Sequence, residues 1–76
     1  MSENGASTGM YELKDEKSGR HEFWVGYVKG KAVTIQFGKI GAQGHRGSRE
    51  FKTNEDARVF LDKRLQQKIQ EGYQKV

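Results

Sequence analysis

The sequence predicts an α+β domain: a small antiparallel β-sheet of four to five strands with one C-terminal α-helix packed on it. Three observations predict it. Aromatic and period-two runs fill residues 10–37, turn residues separate them, and a single stretch of helical spacing occupies the end of the chain. At 76 residues, with no cysteine and no proline, the chain suits one domain with a small core and no disulfide.

Residues 1–9 are small and polar and read as a disordered N-terminal tail, which leaves 10–76 as the domain. Met10–Lys14 predicts a first short strand with Tyr11 and Leu13 on one side, and Asp15–Arg20 a charged loop. His21–Val28 is aromatic and β-branched with apolar residues at both parities, so it is expected to be a central strand covered on both faces. After a turn, Ala32–Phe37 alternates cleanly, with Val33, Ile35 and Phe37 on one side. The two runs form a hairpin whose register is open. A Lys29–Gly30 loop pairs Trp24 with Ile35 and Gly26 with Val33; a three-residue loop pairs Tyr27 with Val33 and Val25 with Ile35.

Gly38, Gly41, Gly44 and Gly47 then recur every third residue, which predicts a loop over 38–47 whose backbone takes positive φ or approaches something closely. Ser48–Lys52 resumes as a strand. Thr53 is the expected N-cap of a helix of about 17 residues, with Asp56 placed to close a capping box. Ala57, Phe60, Leu61, Leu65 and Ile69 make its apolar stripe. Gly72 is the expected stop, with Tyr73 folding back onto the last turn.

The net charge is +4, unevenly placed. Between 23 and 52, Lys29, Lys31, Lys39, Arg46, Arg49 and Lys52 stand against Glu50 alone. Residues 1–22 are net acidic and the helical end is close to balanced. A basic segment with exposed glycine amides suits a polyanion, whereas its ordinary alternative is a solvated surface. No apolar run spans a membrane, and the start has neither the basic nor the apolar region of a signal peptide, so a cytoplasmic or nucleoid location is expected.

Catalytic and metal chemistry find little support. The glycine run lacks the Gly-Lys-Ser/Thr of a phosphate-binding P-loop and the strand-to-helix setting of a dinucleotide fingerprint. Its Gly-x-x-Gly matches, such as Gly38–Gly41 and Gly44–Gly47, lie between strands, not between the helices of a KH domain. Ser48 follows His45 closely, but no carboxylate is placed to orient the imidazole. A metal would have to use His21 and His45 with carboxylates. No catalytic residue, metal or cofactor is therefore expected.

Phe37-Gly38-Lys39-Ile40-Gly41-Ala42-Gln43-Gly44 resembles the Trp-Gly-Arg-[Ile/Val]-Gly-x-x-Gly signature of the WGR domain. Phe23–Val28 resembles that family's preceding strand. Phe51, then Asn54–Ala57 with Phe60–Leu61, resembles its closing strand and helix start, and Lys68–Tyr73 the helix end of bacterial members. The likeness spans about residues 11–75. It implies an antiparallel sheet with one helix and, by analogy with DNA-dependent poly(ADP-ribose) polymerases, a tryptophan that stacks on a sugar at a DNA break and an arginine that contacts the DNA. Here Phe37 and Lys39 stand at those two positions. Phenylalanine still stacks, with less area and no N–H donor; lysine keeps the charge but not the bidentate fork.

The resulting expectation is a non-catalytic, monomeric module that binds nucleic acid, DNA ahead of RNA. Lys31, Lys39, Arg46 and Arg49 would meet phosphates, joined by His45 when protonated, while Gly38 opens the amide-rich loop and Phe37 stacks. The alternative is a protein-interaction module that docks a partner on the sheet or on the Gln66–Gln70 face of the helix.

Overall fold

The computed structural model describes residues 5–76. In chain order the elements are β1 (Ala6–Ser7), β2 (Tyr11–Asp15), β3 (Arg20–Lys29), β4 (Ala32–Lys39), β5 (His45–Glu50), α1 (Asn54–Glu71) and β6 (Gln74–Lys75). The strands form one antiparallel sheet ordered β5-β4-β3-β2-β6, with β1 also on β3. The expected α+β class holds, with two additional two-residue strands. The expected disordered tail differs within the described part, since Ala6 pairs with Val28 and Ser7 with Tyr27; residues 1–4 lie outside the described residues. Small polar residues suffice there because the free edge of β3 supplies the hydrogen bonds. β1 and β2 are one strand interrupted by a bulge at Thr8–Met10, where Gly26 N–H donates to Thr8 Oγ1 at 3.2 Å and Thr8 N–H to Gly26 O at 2.9 Å.

The hairpin adopts neither expected register. Its loop is Gly30–Lys31, so Trp24 pairs with Phe37, Gly26 with Ile35 and Val28 with Val33. Gly30 has φ +61° and, among the described residues, no non-glycine residue, Lys31 included, takes positive φ, which is the type II′ pattern with glycine at the first central position. The face assignment is nevertheless that of the two-residue alternative: Trp24, Gly26 and Val28 share a face with Val33, Ile35 and Phe37.

α1 covers this face. Ala57 and Leu61 are buried against Trp24, Val28 and Val33, with Leu13 and Tyr73 completing the core. The helix comes close because β3 has no side chain at Gly26, where a Cβ would lie 2.5 Å from Leu61 Cδ1. The other face is only partly covered, contrary to expectation: Phe23 is buried, but Val25 and Tyr27 are half-exposed.

Thr53 caps α1, its side chain accepting from Asp56 N–H at 3.0 Å. Asn54 Nδ2 donates to Gly30 O, tying the helix start to the hairpin turn. At the far end Gly72 is left-handed, with Gly72 N–H on Ile69 O and Tyr73 N–H on Lys68 O, a Schellman closure. It folds Tyr73 into the core. Ile69 consequently leaves the apolar stripe and is 42% exposed, because Tyr73 takes the space beneath the last turn.

The glycine segment is shorter as a loop than its spacing suggests. Gly38 belongs to β4 and Gly47 to β5, and only residues 40–44 connect them. The closing strand accordingly starts at His45 and ends at Glu50, and Phe51 turns out of the sheet onto Phe60, with ring centroids 5.0 Å apart.

Candidate nucleic-acid interface

β4 and β5 carry most of the expected site, and their register decides which residues meet. Phe37 pairs with His45, Ile35 with Gly47 and Val33 with Arg49 on the helix-side face; Gln36 pairs with Arg46 and Thr34 with Ser48 on the open face. Phe37 is 47% exposed despite sharing parity with buried Val33, because α1 does not reach the end of β4. Its ring lies 5.7 Å from that of His45, tilted by 44°, so two exposed rings stand side by side at one end of the sheet.

The predicted cations divide between the faces. Lys39 and Arg49 lie on the helix side with Phe37 and His45. Arg46 lies on the open face, where its Nη2 donates to Tyr27 Oη at 2.8 Å. Lys31 occupies the hairpin turn, about 25 Å along β4 from Lys39 at ordinary strand rise. The Ser48 hydroxyl hydrogen-bonds that of Thr34 at 3.0 Å on the open face, so His45 and Ser48 point to opposite sides. His21 is also on the open face, opposite Lys14. Among the described residues no cluster of three His, Cys, Asp or Glu side chains could hold a metal ion.

The glycines have a packing role. A Cβ on Gly38 would lie 2.5 Å from Gly44 Cα, and Gly44, at φ +75°, lies against the Phe37 carbonyl and the Phe23 ring. The connection folds flat onto β4 and shields Phe23 from the open side. These two positions thus meet the close-approach half of the sequence expectation.

Three residues that the sequence reading did not single out as a site complete the helix side. α1 presents Phe60, Arg64 and Lys68, four residues apart on one row, along the edge facing β4 and β5. Between this row and the strands runs a groove of about 390 Å³, floored by Trp24, Ile35 and Phe37. The Arg49 guanidinium lies 5.1 Å from the Phe51 ring centre and 5.4 Å from that of Phe60; Arg64 lies 5.2 Å from Phe60. Among the described residues neither arginine forms a salt bridge. The signal that could have found them is an aromatic-cation-cation row at i, i+4, i+8 flanking the apolar stripe.

At the Lys39 end, Glu22 accepts from Arg20 Nη2 at 3.0 Å and from the Tyr73 hydroxyl at 3.0 Å. The hydrogen bond from Arg20, followed by that from Tyr73, holds the Glu22 carboxyl below its usual range. Burial, then the Glu22 hydrogen bond, raises Tyr73. This cluster locks the helix end to β3 and neutralises the one acidic group paired with Lys39.

Comparison with known proteins agrees with this architecture. No curated protein matches the sequence. A crystal structure of a protein from Bacteroides fragilis superposes with a TM-score of 0.86 at 24% identity, over 93% of this chain and 19% of that one, a likeness of fold. This chain therefore spans about a fifth of that protein's length. Among the described residues no helix is long and apolar enough to cross a membrane. The family match runs over residues 8–76, from the bulge through β6, and the chain belongs to the WGR domain family.

Proposed function

We propose that this WGR domain is a non-catalytic, monomeric module that binds nucleic acid, preferentially DNA, through the helix-side surface of β4 and β5. The observation that carries the reading is the exposure of Phe37 beside His45, between the cations Lys39 and Arg49, neither of which forms a salt bridge among the described residues. An aromatic ring flanked by cations suits a sugar-phosphate backbone, where the ring stacks on a sugar or base and the cations meet phosphates. Arg46, on the opposite face and held by Tyr27, is left to steer by its field. The Gly38–Gly44 contact supports a role for those glycines in shaping the strand end that carries Phe37.

Titration of a fluorescent duplex and of a fluorescent single strand at 50 and 200 mM salt tests the reading, and binding of either form counts for it. Micromolar binding is expected at low salt, weakened by Lys39→Ala and by Phe37→Ala; absence of binding at 50 mM overturns it. A second reading has its own observation. On the open face Val25 is half-exposed between Met10 and Ile40, 43% and 37% exposed, around a shallow depression. This suits a protein partner. Association that persists in high salt and is lost in Val25→Glu would favour that reading.

A further inference from the structure

We propose that the groove between α1 and the β4–β5 pair takes one unpaired nucleotide, so that the domain prefers single-stranded nucleic acid to a blunt duplex. The inference rests on the nucleic-acid reading above and names the ligand form that the site selects. The groove has an apolar aromatic floor with Phe37 toward one end and Phe60 toward the other, and a rim of Arg49, Arg64 and Lys68. Its volume, about 390 Å³, lies at the small end of the ~300–1,000 Å³ usual for ligand pockets, the scale of a nucleotide rather than of a helix. In a duplex the base faces are stacked on one another and cannot reach such a floor. An unpaired base offers its face, and every base has one, so recognition would be tolerant of sequence.

Charge complementarity favours this occupant. Arg49 and Arg64 are held against Phe60 by cation–π contact and lack a carboxylate partner among the described residues, so both are available to phosphate oxygens. Lys68, 3.6 Å from Glu71 and 5.3 Å from the Tyr73 ring centre, continues the row toward the next phosphate. Gly47 keeps the sheet side of the groove open. It lines the groove opposite Ile35, and a Cβ there would meet nothing within 4 Å.

That opening supplies the test. Gly47→Val places a β-branched side chain in the groove on an edge strand that tolerates it. The measurement is anisotropy of a labelled twelve-residue oligothymidine, a blunt duplex and a polyglutamate peptide, with emission of Trp24, the single tryptophan, as a second readout. The expected result is tighter binding of the single strand, accompanied by a change in Trp24 emission that the duplex does not cause. Gly47→Val, and separately Arg64→Ala with Lys68→Ala, should weaken the single strand about 10-fold and abolish its preference, with unchanged thermal midpoints. Lys63→Ala, on an exposed part of α1 outside the groove, should have no effect. Equal affinity for both DNA forms, or full binding by Gly47→Val, overturns the inference and leaves the nucleic-acid reading standing. Failure of both DNA forms to bind overturns both, as does polyglutamate binding as tightly as DNA.

Discussion

Gly38 and Gly44 differ from Gly47 in what they do. Gly44 combines φ +75° with contact to the Phe37 carbonyl, so Gly44→Ala meets both backbone strain and a clash. Loss of about 2 kcal/mol or more is expected from urea unfolding. Gly38→Ala is expected to follow it, since its Cβ would meet Gly44 backbone. Gly47→Ala adds a methyl group into open space and should stay within about 0.5 kcal/mol of the parent. Spacing in the sequence could not separate these positions, because the difference lies in what sits across the turn. Glu22 offers a pH test. Its carboxyl is held below the ordinary value of 4.5, so its contribution to stability is present above that pH and is lost as pH falls through the lowered folded value. The stability difference between the parent and Glu22→Gln should therefore be full at pH 6 and shrink below 4.5. Tyr73 acts with the opposite sense: its raised value means that stability declines as pH rises past 10.

At the level of elements, the helix and its attachment to the sheet are separable. Thr53→Ala removes the cap on Asp56 N–H and should cost about 1 kcal/mol, with Thr53→Ser close to parent in a urea titration. Gly26→Ala pushes on Leu61 and on the Trp24 ring, 3.3 Å from the added Cβ, and is expected to cost about 1–3 kcal/mol. Pairing it with Leu61→Ala should give a double-mutant coupling above about 0.5 kcal/mol, because the second change vacates the contact made by the first. The helix was readable from Thr53, its stripe and Gly72, since caps and periodicity are local. Ile69 was misplaced because its burial depends on where Tyr73 returns. The hairpin register was not readable either: glycine as the first or second central residue of a two-residue turn shifts the pairing by two positions with the same face pattern.

For the whole molecule, the charge divides with the topology. The basic stretch from 23 to 52 is contiguous in sequence, yet pleating sends Arg46 to one face and Lys39 with Arg49 to the other. α1 then returns Arg64 and Lys68, from a segment close to neutral overall, to the side of Arg49. If three cations neutralise phosphates on binding, affinity should fall about 40-fold between 50 and 200 mM salt. A slope near zero would contradict the nucleic-acid reading, and Arg49→Ala should reduce the slope by about one unit.

The α+β class, the succession of the four longer strands and the helix, the helix caps and the family resemblance were determined by the sequence alone, whereas β1 and β6 were not. They rest on alternation, helical spacing and residue types that act within a few positions of one another. The exposure of Phe37, the contact between Gly38 and Gly44, the division of the cations and the groove beneath Arg64 were decided only by the tertiary structure. They depend on the sheet register, on close approach across the β4–β5 connection and on how far α1, packed through Leu61 on Gly26, reaches along β4.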